Sequence, residues 1–193
     1  MAKKPIILAS SSPRRKQLLK QLGLDFEVVP SKYQEDMSLR LAPDRLVKKF
    51  ARGKGLEVAS RQPKGIVISA DTVISLGDKV LGKPHTEAVA KKTLRKISNK
   101  TINIITGYSV IDCQSKKIVT KSVITKVKIK KLTNQEINNY VKTKEPLDKA
   151  GAFGIQGLGA LLVTRIEGDY FNVVGLPLYD LVKTLNKFGV NIL

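Results

Sequence analysis

Residues 65–76, GIVISADTVISL, constrain this chain more than any other segment, because they form an almost continuous β-branched, apolar run. Such a run predicts a strand filling the interior of a sheet rather than an exposed one. Asp71 interrupts it. An ionised carboxylate inside an apolar strand is costly unless it is paired, hydrogen-bonded or bound to a metal. The residues alone leave two readings: an Asp at a strand end that caps a turn through Thr72, or a catalytic or metal-binding carboxylate.

Around this strand the pattern alternates between the two periods of regular structure. PIILA is a short strand, and Ser12 then Pro13 predict the start of a helix whose apolar face is Leu18, Leu19 and Leu22, ended by Gly23. LDFEVV reads as a second strand and residues 30–41 as a polar loop. A helix begins near Pro43, with Gly53 and Gly55 expected to weaken it. Gly77-Asp78 has the spacing of a two-residue hairpin turn. A helix from Thr86 to about Ile97 follows, then strands from Ile102 to Lys130, and Thr133 with Glu136 forms a capping box. ALLVTRI and YFNVVG read as strands. Pro177 opens a last amphipathic helix with Leu178, Leu181, Val182, Leu185 and Phe188 inward, stopped by Gly189. The expectation is one α/β domain over residues 1–193, with a mixed order of strands and helices.

The formal net charge is +19, so any polyanion is a conceivable partner. Lysine supplies 27 of the 35 positive side chains and is spread along the whole chain. The one dense run, TKVKIKK at 125–131, alternates lysine with Val127 and Ile129, as a strand with a solvated lysine face does, and such a face resists edge pairing. Aromatic residues are only 5% and Trp is absent, so the stacking platforms of single-strand binders are missing, which argues against nucleic acid as the main ligand. Lys3-Lys4 ahead of Ile6-Ile7-Leu8-Ala9 is too short for a signal peptide or a membrane span, and a cytoplasmic protein is expected. The single Cys113 excludes an internal disulfide and reads as a small buried hydrophobe.

Ser10-Ser-Ser-Pro-Arg14-Arg15 lies between a strand and a helix N-terminus. There, free N–H groups and the helix dipole favour an anion, and arginine can grip phosphate bidentately. An ordinary serine cap followed by solvated arginines would read the same way. Glu35 and Asp36 offer carboxylates that could join Asp71 around a hard cation. Gly151, Gly154, Gly157 and Gly159 crowd one segment, but there is neither a P-loop nor a dinucleotide fingerprint. Lys54, Lys83 and Lys149 read singly as solvated lysines. His85 is the only histidine, which argues against a histidine triad or a zinc cluster.

LASSSPRRKQLL, ISADTVI, GKP and KEPLDKAGAFGIQGLGALLVTRIEGDYFNVVGLPL, in that order, resemble the Maf family of nucleoside triphosphate pyrophosphatases over nearly the whole chain. The resemblance implies a Maf/ITPase-like fold, with a mixed, elongated sheet flanked by helices and two lobes with a central cleft. It implies a homodimer, a divalent cation such as Mg²⁺ or Mn²⁺, and cleavage of a nucleoside triphosphate to monophosphate and diphosphate. By the same resemblance Asp71 matches the catalytic acid-base residue. Arg14, Thr72 and Gln156 match the positions tied to substrate choice, and read as they do in the branch that resembles dTTP/UTP pyrophosphatases. Ser10, Glu35, Lys54 and Lys83 fall at positions used around phosphates and metal. Arg15 is expected to help hold the triphosphate, and Glu35 and Asp71 to hold the metal. The chain departs from relatives in its basicity and in Lys32 of the loop near Asp36, which leaves Glu35 either a metal ligand or a group behind one. The rivals are the same reaction on 7-methyl-GTP or another modified nucleotide, and a non-catalytic nucleotide- or nucleic-acid-binding regulator of cell division.

Overall fold

In the computed structural model, which describes residues 4–192 and so leaves Lys3 outside it, the helix after the first strand starts where its sequence chemistry puts it. Ser12 is the N-cap of α1 (Pro13–Gln21), and its Oγ accepts the Arg15 N–H at 3.5 Å. Helix α1 follows β1 (Ile6–Leu8) and precedes β2 (Phe26–Val28). Then come α2 (Pro43–Ala59), β3 (Ile66–Leu76), β4 (Lys79–Leu81), α3 (Glu87–Ile97), β5 (Thr101–Asp112) and β6 (Ile118–Ile129). The order ends with α4 (Asn134–Lys142), three 3₁₀ turns between Glu145 and Leu162, β7 (Val163–Glu167), α5 (Tyr170–Val174) and α6 (Leu178–Asn186).

The strands follow the order β2-β1-β3-β5-β6-β7, with β4 added on β3, so the fold is mixed α/β. β1 runs parallel to both neighbours, pairing Ile6 with Phe26 on one side and with Ile66 on the other. β4 returns antiparallel on β3 through the Gly77-Asp78 turn, and β7 is antiparallel to β6. Two compact units emerge: the chain up to Thr72 with Thr106–Val123 and the part from Gly175 on, and Val73–Ile105 with Ile124–Val174. No helix among the described residues is long and apolar enough to cross a membrane.

In the first unit the alternation of β3 sends Val67, Ser69 and Asp71 to one face and Ile68, Ala70 and Thr72 to the other. Helix α2 covers the Asp71 face at very short range. Ser69 Oγ donates to the Ala51 carbonyl at 2.6 Å, and a Cβ on Gly107 would stand 2.5 Å from the Val47 backbone. A Cβ on Gly55 would likewise meet Ser69 Oγ at 2.6 Å, and one on Gly53 would overlap the Tyr33 ring. Gly53 and Gly55 therefore do not interrupt α2. They let it approach the sheet and the loop before it, with Lys54 between them. On the opposite face Tyr108, fully buried, donates to Asp180 Oδ2 at 2.8 Å and meets Thr184 Oγ1 at 2.6 Å, fixing α6. Burial, together with Asp180, pushes the Tyr108 phenol well above its ordinary pKa.

Asp112, at the end of β5, is a stability device of this unit. Lys4 Nζ donates to its Oδ2 at 2.6 Å, and the Gln114 N–H donates to Oδ1 at 3.0 Å. Burial works against the carboxylate, but the Lys4, Gln114 and Ser115 donors outweigh it and hold the pKa at about 2. Because the folded value lies below the usual value of about 4, the stabilisation is full above pH ~4 and is lost as pH falls towards 2. Asp112→Asn is thus expected to be less stable than the parent at pH 7, with the gap closing in acid. Urea melts between pH 7 and pH 2 would measure it, and a gap independent of pH would remove this carboxylate from the account.

The second unit buries Ile74, Leu94, Ile97, Ile102, Ile104, Val127, Ile129, Ile137 and Phe153 in one cluster. The Thr133–Glu136 capping box is present at the start of α4. Two expectations fail here. YFNVVG is not a strand: residues 170–174 are helix α5, because Asp169 Oδ1 accepts the N–H groups of Phe171 at 2.7 Å and Asn172 at 3.2 Å and so caps a helical turn. The first part of ALLVTRI is 3₁₀ turn, and the strand starts at Val163. The lysine-alternating segment is a strand as expected, and β7 pairs with it over Lys126–Ile129.

Candidate active site

The parallel part of the first unit sets the location. β1 pairs with β3 only as far as Leu8 opposite Ile68. β3 runs on past it, so Asp71 stands just beyond the carboxyl end of β1, where open α/β sheets place their ligands. The chain leaving β1 enters Ser10 and α1 there, bringing the N-terminus of that helix to the same end.

Asp71 lies in the middle of its strand and not at an end, which removes the turn-capping reading. It is 7% exposed. Its Oδ1 accepts from Lys54 Nζ at 2.7 Å, and the same ammonium is 2.5 Å from Glu35 Oε1. Lys54 thus bridges the two carboxylates that sequence reasoning assigned to the metal. Lys54 and Asp71 side chains are 14% and 11% exposed, while that of Glu35 is 38% exposed, so the array is anchored in the protein and open at Glu35. Asp36 takes no part; its Oδ1 accepts from the Ser38 N–H and hydroxyl.

On the other face of β3, Arg15 ties three segments together. Nε donates to the Gly175 carbonyl at 2.9 Å, Nη1 to Ser10 Oγ at 3.3 Å and Nη2 to Thr72 Oγ1 at 3.1 Å. Thr72 Oγ1 also meets Thr106 Oγ1 at 3.0 Å, and Ser10 Oγ accepts the Ser12 N–H at 3.3 Å. Burial lowers the Arg15 pKa; the charge on Asp71 opposes this, Arg14 lowers it further, and Glu35 opposes. Three of its five N–H donors are committed within the protein, so Arg15 orients Ser10 and Thr72. Arg14, half-buried on the first turn of α1, makes no hydrogen bond or ion pair among the described residues, and its guanidinium remains available to an anion.

In the second unit Lys83 follows β4 in a turn fixed from both sides. The Gly82 carbonyl accepts the Gly151 N–H at 3.1 Å, and the His85 N–H donates to the Leu147 carbonyl at 3.1 Å. Pro84 is buried and Lys83 is exposed. Gln156 is exposed on extended backbone, φ −92° and ψ 151°, at the head of the 3₁₀ turn Gly157–Leu162, with its side chain unused as a cap. Lys149 is not solvated as the sequence suggested; its Nζ donates to the Glu145 carbonyl at 2.8 Å and to Asp148 Oδ1 at 2.9 Å.

A family model described as Maf-like protein matches residues 5–188. The chain belongs to the Maf family. A Methanosarcina mazei protein named dTTP/UTP pyrophosphatase is 47% identical over 188 residues, covering 97% of this chain and 95% of the relative. One of the same name from Alkaliphilus oremlandii is 45% identical over 192 residues, covering 98% and 100%. Among solved structures, the Ham1 protein of Staphylococcus aureus covers 65% of this chain and 72% of its own length with a TM-score of 0.48 at 14% identity.

Within this Maf-family chain, the first unit brings Ser10, Arg15 and Thr72 into one hydrogen-bonded group and Glu35, Lys54 and Asp71 into another. Sequence reasoning missed Thr106 and Gly175, which position Thr72 and Arg15. Thr106 sits in a β-branched run with no local sign of a role. Gly175 was visible only as a glycine in a quoted motif, although its φ of +125° is a conformation that an L side chain resists. The donor set suits a hard cation: Glu35 and Asp71 offer only oxygen, and each spends one oxygen on Lys54. No group of three or more His, Cys, Asp or Glu side chains comes together among the described residues. A cation here would therefore take one or two carboxylates from the protein and the rest of its shell from phosphate and water, the Mg²⁺ habit.

Proposed function

We propose that this protein hydrolyses the α–β phosphoanhydride of nucleoside triphosphates, with dTTP and UTP preferred, to the monophosphate and diphosphate. The observation that carries the reading is the buried Asp71 carboxylate, held through Lys54 to Glu35 at the carboxyl end of β1 beside an arginine-bearing helix N-terminus. The names of the relatives give the reaction class and the bases.

In this reading Arg14 and the free N–H groups of α1 bind phosphate oxygens, with Lys83 as a further phosphate ligand. Arg15 holds Ser10 Oγ and Thr72 Oγ1 in place. Lys54 passes from its carboxylate partners to the phosphates as they arrive. Asp71 accepts a proton from the water whose oxygen attacks the α phosphorus, and the bridging oxygen leaves with diphosphate. A divalent cation, Mg²⁺ or Mn²⁺, held by Glu35 and Asp71, would supply charge neutralisation between the α and β phosphates. Gln156 offers both a donor and an acceptor, which suits the imide edge of uracil or thymine.

Product analysis of dTTP, UTP, CTP and 7-methyl-GTP with protein and Mg²⁺ tests the proposal. The expected result is monophosphate with diphosphate from dTTP and UTP, at kcat/KM about tenfold or more above the other two. Release of orthophosphate, or a preference for 7-methyl-GTP, would overturn the reaction or the base assignment respectively.

A further inference from the structure

The glycine-rich segment that carries Gln156 is tied back onto itself by one carboxylate. Glu145 Oε2 accepts the Leu158 N–H at 3.0 Å, and Oε1 accepts the Gly159 N–H at 3.1 Å. Oε1 also accepts the Tyr140 hydroxyl at 2.9 Å, and that oxygen in turn accepts the Gly154 N–H at 3.3 Å. Both ends of the segment therefore hang on a single pair of side chains. They also touch: a Cβ on Gly159 would overlap the Gly154 carbonyl and come within 2.6 Å of the Tyr140 hydroxyl. A Cβ on Gly157 would lie 2.9 Å from Glu145 Oε2, and one on Gly154 would lie 2.8 Å from Lys149 Cδ. Between the Gly154 and Leu158 anchors only Ile155, Gln156 and Gly157 remain.

We propose that Glu145, with Tyr140 as its second arm, is a positioning residue for base selection, holding the segment so that the Gln156 amide meets the pyrimidine edge in one orientation. The inference rests on the reading of Gln156 as the base-reading side chain. An amide discriminates between base edges only if its donor and acceptor are held in place. A three-residue stretch without anchors would sample many backbone states. A carboxylate can accept from both N–H groups at once and does so more strongly than a neutral acceptor. An amide in its place would offer one acceptor and turn a donor towards the second N–H. Burial, reinforced by Glu145, pushes the Tyr140 phenol well above its ordinary pKa, so it stays a donor across the neutral range.

The test is steady-state kinetics of Glu145→Gln, Glu145→Asp, Tyr140→Phe and Gln156→Ala on dTTP and CTP, with amide hydrogen exchange of the free proteins. Glu145→Gln is expected to raise KM for dTTP about tenfold and to cut the dTTP/CTP ratio of kcat/KM by a similar factor, with kcat changed by less than about threefold. Exchange at Leu158 and Gly159 should rise with it. Glu145→Asp, which keeps both oxygens, should recover part of the ratio. Tyr140→Phe keeps the ring and should move the ratio about threefold in the same direction, and carries the test if Glu145→Gln does not fold. An equal loss on both triphosphates with an unchanged ratio overturns the proposal. If Gln156→Ala itself leaves the ratio at the parent value, the base-reading assignment and the proposal fall together. If it collapses the ratio while the Glu145 and Tyr140 variants do not, only the positioning role falls.

Discussion

Asp71→Asn is expected to fold and melt like the parent while losing turnover by about 10²–10⁴-fold, the usual worth of a positioned general base. The substitution is nearly isosteric. Its amide oxygen can still accept from Lys54 Nζ, now 2.7 Å from Oδ1, so the hydrogen bond that satisfies this strand position survives. What disappears is the ability to take a proton from water, together with one negative ligand for a cation. The consequences should therefore appear in kcat for dTTP far more than in the melting curve. Diphosphate release within tenfold of the parent rate would take Asp71 out of the proton transfer.

Lys54→Met is the second large effect, and it should strike both activity and stability. Its ammonium sits between Glu35 and Asp71, and the Asp71 side chain is only 11% exposed. Removing one partner of a buried ion pair leaves an uncompensated charge, at a cost on the order of 3–5 kcal/mol. Loss of a cation that would meet developing phosphate charge should lower kcat/KM for dTTP by about 10²–10³-fold. The two consequences can be separated by a cycle with Asp71→Asn. In the double variant the stability deficit should largely vanish, because no buried carboxylate is left stranded and Glu35, 38% exposed, remains open to water, while activity stays lost. A double variant as unstable as Lys54→Met alone would mean that the deficit came from lost packing of the lysine stem and not from charge.

The cations follow two designs. Arg15 has its donors spent inside the protein, on Gly175, Ser10 and Thr72, whereas Arg14 one residue earlier has none spent among the described residues. Adjacent residues on a helix point about 100° apart, so one can face the sheet while the other faces an incoming anion. In the proposed function the two arginines would divide the work, with Arg15 spending these three donors on shaping the site and Arg14 offering its guanidinium to phosphate.

Much of this molecule was legible in its sequence wherever a short segment decides its own conformation. Ser12-Pro13 starts a helix, Gly77-Asp78 makes a hairpin and Thr133 with Glu136 caps a helix, because each needs only hydrogen bonds or φ values supplied within a few residues. Asp71 was marked because a charge in an apolar strand is anomalous whatever the rest of the chain does. Where distant partners decide, the sequence was silent or misleading. YFNVVG has strand composition and is a helix: besides the local Asp169 cap, Asn172 is drawn to the distant Ile104 carbonyl and Thr125. Gly53 and Gly55 look like weak points in α2, yet they let the helix close onto Tyr33, Ser69 and Ile111 and so deliver Lys54 to Asp71. Which lysine answers the buried acid, which arginine is already engaged and which carboxylate pins the glycine-rich segment depend on contacts between residues far apart in the chain. Tertiary packing alone could make those choices, because hydrogen bonds and ion pairs are set by distances in space that no local pattern encodes.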